Sequence, residues 1–196
     1  MSGYASADVK LNPRGLARWR SGHPWIYRAG IGMVEESTGE EAIARVQDPR
    51  GRFLGQALLS RASQITLRFL TRREEPVDAA FLEDRIARAV AYRDRLLPGR
   101  DAVRLVFGEA DGLPGLVVDR YGPHLVVQFL AWGMNALGAD IAEALRRVAK
   151  PESMLARNDP SVRVLEGLPR EVTQLHGETP ESIVYHEGDI ALTSDL

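Results

Sequence analysis

Cysteine is absent from the 196-residue chain, which excludes disulfides, thiolate metal sites and a cysteine nucleophile within it. No apolar run approaches the roughly 20 residues needed to cross a bilayer. The opening residues, Met1-Ser2-Gly3-Tyr4-Ala5, lack the basic stretch and apolar core of a secretory signal. A cytoplasmic address with no membrane partner is the expectation. The 18 glycines never fall into G-x-G-x-x-G or G-x-x-x-x-G-K-[ST], so the fingerprints of dinucleotide and P-loop sites are lacking. His23, His124, His176 and His186 show neither H-x-x-x-H nor H-x-x-E-H spacing, and no nucleophile elbow supports a Ser/His/Asp set. Internal repeats and low-complexity segments are lacking too.

What is present is an ordinary globular composition, 44% hydrophobic and 27% charged, long enough for one full-sized domain or two small ones. The net charge of −2 hides a division. Residues 1–73 carry twelve Lys/Arg against six Asp/Glu, whereas residues 74–196 carry thirteen against twenty-one. Such asymmetry suggests one half that meets a polyanion and one that does not.

Asn12-Pro13 reads as an N-cap followed by proline at the first helical position, with Gly22 as the stop of a short basic helix. Five short β-type runs follow, 23–28, 31–35, 42–48, 53–60 and 65–71. Asp48-Pro49-Arg50-Gly51 carries the signature of a type I turn. Ile65, Leu67 and Phe69 alternate with Thr66, Arg68 and Leu70, as in a half-buried strand. This pattern predicts a small β-barrel. Pro76 and Asp78 open a helix whose face carries Leu82, Ile86, Ala89, Val90 and Leu97 and which Pro98-Gly99 ends. A hairpin, 103–107 and 116–121, and a third strand, 125–130, come next. The clearest helix carries Leu137, Ile141, Ala144, Leu145 and Val148 in one stripe and stops at Pro151. Short strands return at 153–157, 172–175, 182–186 and 190–193. The helices are expected to follow antiparallel hairpins.

The glycine-rich stretch 108–115 opens no helix and carries Glu109 and Asp111, which repel anions. It reads as a shaped hairpin loop rather than a phosphate cradle. Glu109, Asp111 and Asp119 could ligate a hard cation, but nothing in the spacing fixes them on one side of the hairpin, and no metal is expected. His23, before Pro24, and His124, in a turn, read as local. The basic residues of the first part are more informative, since eleven of the twelve are arginine. Arginine's planar fork grips phosphate and stacks on bases. Arg14, Arg18 and Arg20 lie on the short helix, and Arg28, Arg45, Arg50, Arg52, Arg61 and Arg68 on strands and turns, with Trp19, Trp25 and Tyr27 interleaved. Two readings stay open: an RNA-binding face, or aromatic core beneath a solvated arginine shell.

The run from Arg104 through Phe107-Gly108-Glu109-Ala110-Asp111-Gly112-Leu113-Pro114-Gly115 to Asp119-Arg120-Tyr121-Gly122 resembles the signature of the large-subunit ribosomal RNA cytosine-C5 methyltransferases that carry an N-terminal PUA domain. Gly22-His23-Pro24-Trp25-Ile26-Tyr27 agrees, as do Arg157-Asn158-Asp159, Val162-Arg163 and Leu165-Glu166-Gly167-Leu168. The resemblance covers about residues 9 to 196. It implies an α+β chain: a PUA-like RNA-binding barrel over 1–73, then a linker helix and a strand-strand-helix-strand-strand domain over 74–186. Residues 187–196 would begin a connection to a Rossmann-like catalytic domain that has no counterpart here, so a fragment or a naturally shortened protein is expected.

S-adenosylmethionine is implied for the full-length family, with no cofactor in this chain. The family's cofactor-binding acids and catalytic cysteines belong to the further domain, so no catalytic, cofactor or metal residue carries over. The chain alone is expected to be inactive. The expected RNA-binding residues are Arg14, Arg18, Arg20, Trp25, Arg28, Arg50 and Arg52, and the expected partner is 23S ribosomal RNA, with a homodimer left open. The rival reading is a non-enzymatic PUA-containing RNA-binding or interaction protein.

Overall fold

The computed structural model describes residues 3–35, 40–187 and 190–195. Its strands form two main sheets and a terminal hairpin. The first sheet holds six strands, not the five expected from the sequence: β1 (Ser6–Leu11), β2 (Trp25–Tyr27), β3 (Ile31–Glu35), β4 (Ile43–Gln47), β5 (Phe53–Leu59) and β6 (Ile65–Thr71). Their order is β2-β6-β5-β4-β1-β3. The additional strand, β1, sits inside the sheet, parallel to β4 and antiparallel to β3. Its pattern is a simple alternation, because Ala7, Val9 and Leu11 are buried between Asp8 and Lys10. With Ile26, Val46, Leu59 and Leu67 they form the barrel core.

Helix α1 (Pro13–Arg20) starts where the capping pattern places it, the Asn12 side chain accepting from Gly15 N at 3.0 Å. It packs against β2, the 3-10 turn Arg28–Gly30 and β1, between the two edges of the sheet. The approach is backbone to backbone, for a Cβ on Gly15 would lie 2.2 Å from the Gly30 carbonyl oxygen. The 48–51 turn also forms as expected, with Gly51 N donating to Asp48 O at 3.0 Å.

Strand β6 departs from the half-buried reading. Thr66, Arg68 and Leu70 are buried too, because later segments of the chain cover that face, Glu166 pairing with Arg68 and Leu70 joining the core of the helices and second sheet. Helix α2 (Ala79–Leu96) is capped by Asp78, which accepts from Phe81 N at 2.9 Å, and buries Leu82, Ile86, Ala89 and Val90. Leu97 lies past its end and is 42% exposed, so it is no part of the buried stripe.

The second sheet contains β7 (Ala102–Phe107), β8 (Leu116–Tyr121), β9 (His124–Phe129), β10 (Ser153–Asn158) and β11 (Glu171–His176), in the order β11-β10-β9-β8-β7. The strand-strand-helix-strand-strand order implied by the resemblance is corrected: three strands precede the helical segment, as the runs 103–107, 116–121 and 125–130 predict. That segment, α3 (Trp132–Ala136) and α4 (Gly138–Ala149), follows the antiparallel β8–β9 pair, as expected, and joins β9 to β10 as a parallel crossover. A parallel return needs a dozen or more residues, and the apolar stripe Ile141, Ala144 and Leu145 buries itself in the domain core. α4 also packs on α2. This core takes in Ile43, Leu58 and Leu70 from the first sheet. Gly133 of α3 sits so tightly on β5 that a Cβ there would lie 3.0 Å from the Leu58 side chain. The hairpin β12 (Ser182–Glu187) and β13 (Ile190–Asp195) touches the second sheet through Tyr121 and Tyr185, ring centroids 5.2 Å apart.

Candidate nucleic-acid interface

Strand registers decide which arginines share a surface. Lys10 pairs with Gln47 in the parallel β1–β4 ladder, Gln47 with Phe53, and Gln56 with Thr71. The start of α1, the 48–52 turn and Arg72-Arg73 therefore gather at one end of the barrel. Of the expected site residues, Arg14, Arg20 and Arg50 lie exposed on α1 and this turn. Among the described residues, no ion pair or side-chain hydrogen bond engages their guanidinium groups or that of Arg73. Arg18 donates to the Trp25 carbonyl at 3.0 Å and lies 4.5 Å over the Tyr27 ring. It is oriented without being neutralised. Arg14 and Arg18 line a shallow depression with Ile26 and Tyr27.

The other three serve the fold. Arg28 caps the opposite end of the barrel, donating to the carbonyls of Arg61, Ala62 and Ser63 at 2.7, 2.9 and 3.3 Å. Arg52 pairs with Asp48 at 2.7 Å. The Asp48 carboxyl is held below its ordinary value, first by the Arg52 backbone N–H against the opposing effect of burial, then by the Arg52 side chain and the Arg50 N–H. Trp25 turns to the second domain, its Nε1–H donating to Glu109 at 2.6 Å. Three more arginines of the first part are paired as well: Arg45 with Glu74 at 2.5 Å, Arg61 with Glu41 at 3.1 Å and Arg68 with Glu166 at 2.7 Å. Arg28, Arg45, Arg52, Arg61 and Arg68 are thus engaged within the fold, whereas Arg14, Arg20 and Arg50 have no such partner among the described residues.

The loop after β7 is the shaped turn its glycines suggest. Gly108, Gly112 and Gly115 have φ of 53°, 68° and 78°, conformations glycine adopts without strain. Its carboxylates, with Asp119, go to three different partners. Glu109 accepts from Trp25, Asp111 pairs with Arg93 and accepts from Phe107 N at 2.6 Å, and Asp119 holds Arg104 by two bonds of 2.8 and 3.0 Å. His23 and His124 also have local partners, Trp25 N donating to His23 Nδ1 at 3.0 Å and His124 Nδ1 lying 2.8 Å from Ser153 Oγ.

Residues that sequence reading did not single out complete the region. Arg72 donates to the Trp19 carbonyl at 3.1 Å and stacks 4.8 Å over the Trp19 ring. Arg85 of α2 donates to the Gly112 carbonyl at 3.0 Å and lies 4.4 Å over Phe81. With Arg73 and Arg88 they face a cleft of about 580 Å³ between the barrel end, α2 and the 108–112 turn. Their charge is visible in sequence, but their convergence depends on how the two domains pack.

The PUA-like domain family matches residues 9–72. The chain is 34% identical over 180 residues to ribosomal RNA large subunit methyltransferase I of Vibrio cholerae, covering 90% of this chain and 45% of that protein. It is 36% identical over 178 residues to the protein of the same name from Aeromonas salmonicida, covering 89% and 45%. A solved candidate SAM-dependent methyltransferase from Streptococcus mutans superposes with a TM-score of 0.78 at 15% identity, over 96% of this chain and 48% of its own. A second candidate methyltransferase, solved with SAH bound, gives 0.79, also at 15% identity and the same coverage. The chain therefore spans about half the length of the curated relatives it matches. Residues 9–72 thus match the PUA-like domain family, in a chain similar over nine-tenths of its length to ribosomal RNA large subunit methyltransferase I of Vibrio cholerae.

Proposed function

We infer that this chain is the N-terminal, RNA-docking part of a SAM-dependent methyltransferase that modifies a cytosine at C5 in 23S ribosomal RNA. The observation that carries this reading is the arginine-rich end of the PUA-like barrel. There Arg14, Arg20, Arg50 and Arg73 are held by no carboxylate among the described residues, and Arg18 is fixed by a carbonyl and an aromatic ring. Cations kept free of internal partners suit a polyanion. The names of the relatives supply the class of RNA, and the signature around 104–122 supplies the base.

Positioning follows from rigidity. The barrel shares core with the second domain through Ile43, Leu58 and Leu70, and is tied to it by Trp25–Glu109 and Arg68–Glu166. RNA held on the barrel is thereby set at a fixed distance from whatever the second domain carries. The residues present do not fit S-adenosylmethionine. Its usual place is a glycine turn between a parallel strand and a helix. After β9 that turn carries no glycine fingerprint, and the Trp132 N–H at the start of α3 already donates to Glu166 at 3.0 Å. No step through the cofactor is derived for this chain.

The test is binding of a 23S ribosomal RNA fragment across a salt series. Affinity falls log-linearly with salt, and the Arg14→Ala/Arg20→Ala/Arg50→Ala variant flattens the slope by roughly 0.7–0.9 for each phosphate no longer neutralised. An unchanged slope would place the interface elsewhere and overturn the reading.

A further inference from the structure

We propose that the cleft between the end of β6, the first half of α2 and the 108–112 turn binds a phosphodiester of single-stranded RNA. The proposal rests on the RNA-docking reading above and gives it a second point of attachment, next to the end of α1, where Arg72 stacks on Trp19. The cleft, about 580 Å³, has the size of sites that take one small organic ligand. That is room for a nucleotide unit of an open strand, whereas a duplex keeps its bases stacked inside.

Its charge is arranged for an anion. Three carboxylates line it, and each is engaged. Asp111 is held by Arg93, Asp84 pairs with Arg88 at 2.8 Å, and Glu75 accepts the Thr71 hydroxyl at 2.5 Å. Asp111 and Asp84 are thus offset by cations, whereas Glu75 keeps its charge, and the four arginines of the lining leave the cleft net positive. Among the described residues no ion pair holds Arg72, Arg73 or Arg85.

Arg72 and Arg85 are instead fixed by carbonyl oxygens and aromatic faces. A carbonyl bond sets the direction of a guanidinium without cancelling its charge, and most of its five N–H donors stay open. Half-burial draws the Arg85 pKa below the usual arginine value, against the opposing charge of Glu75. A phosphate in the cleft would relieve that cost. Gly112 belongs to the same device, because a Cβ at this position would lie 1.9 Å from Arg85 Nη1. Only glycine leaves the guanidinium where it is.

The experiment measures binding of a fluorescent single-stranded hexaribonucleotide to the 196-residue chain, with Arg73→Gln and Arg85→Gln variants. Each removes one charge-assisted hydrogen-bond donor, so affinity falls about tenfold. Arg73 is exposed and unpaired among the described residues, so Arg73→Gln decides the matter if Arg85→Gln melts early. Uridine monophosphate and inorganic phosphate are the competing arms. Displacement of the hexamer only at far higher concentrations than unlabelled hexamer supports an RNA site. Inorganic phosphate competing as well as the hexamer overturns it in favour of a free-anion site. Failure of the chain to bind the hexamer, or undiminished binding by both variants, also overturns it. The 23S fragment series with the α1 and turn variant separates this failure from failure of the docking reading.

Discussion

Arg68 of β6 and Glu166, ninety-eight positions apart, form a buried ion pair at the domain junction, with Arg68 Nη2 2.7 Å from Glu166 Oε1. The same carboxylate accepts the Trp132 N–H at 3.0 Å, so it joins the barrel to the start of the parallel crossover. Burial pushes the Glu166 pKa up. Hydrogen bonds from Ser63, Trp132 N and Arg68, together with the Arg68 charge, outweigh that and hold it below the usual glutamate value of 4.5.

Removing one partner of such a pair leaves a buried charge alone, at a cost of about 3–5 kcal/mol. Glu166→Gln is therefore expected to lower the melting temperature by roughly 6 °C or more. An apolar pair, Arg68→Met with Glu166→Leu, recovers part of the loss. Because the folded pKa is depressed, the contribution of Glu166 is complete above the usual value and is lost as pH falls through the folded one. Thermal stability of the unaltered protein should decline below pH 4.5, and Glu166→Gln should flatten that decline. A steep acid limb in the variant would assign it to other carboxylates.

Gly112 is held in the left-handed region at φ 68° against Arg85. Gly112→Val adds backbone strain of about 1–3 kcal/mol to a steric collision, so melting should fall by several degrees in a thermal scan. Addition of Mg²⁺ or Ca²⁺ to the unaltered protein should leave the melting temperature where it is, since Glu109, Asp111 and Asp119 face Trp25, Arg93 and Arg104. A saturable rise with either ion would contradict this assignment.

The arginines of the barrel should separate into two classes by assay. Arg14→Ala, Arg20→Ala and Arg50→Ala should weaken RNA binding and leave stability within about 0.5 kcal/mol of the unaltered protein. Arg28→Ala should do the reverse, since it strips the 61–63 carbonyls of their donor at a cost of about 0.5–1.5 kcal/mol, the exposed carbonyls turning to water. Equal effects of both classes on RNA affinity would remove the distinction.

Calorimetric titration of this chain with S-adenosylmethionine should show no heat beyond dilution. The helix start after β9 is occupied by Glu166, an anion where a cofactor's carboxylate or ribose would need donors. Saturable heat would locate a cofactor site the geometry does not disclose.

Short-range physics accounts for what sequence alone determined. Asn12 before Pro13, Asp78 before α2 and Asp48-Pro49-Arg50-Gly51 each satisfy backbone groups within about four positions, so their structures follow from neighbouring letters. The stripe of Ile141, Ala144 and Leu145 and the glycines of 108–115 likewise announce a buried helix face and a shaped loop. Even β1 was written in the alternation of Ala7, Val9 and Leu11. Tertiary structure alone decided which arginines stay open to a ligand. Arg68 is claimed by Glu166, Arg28 by three carbonyls and Trp25 by Glu109, while Arg72, Arg73 and Arg85 meet across the domain junction. A guanidinium looks the same in sequence whether it meets a carboxylate, a carbonyl or water. For Arg28 and Arg68 the partner is set by packing between segments 33 and 98 residues apart, and no local pattern encodes that.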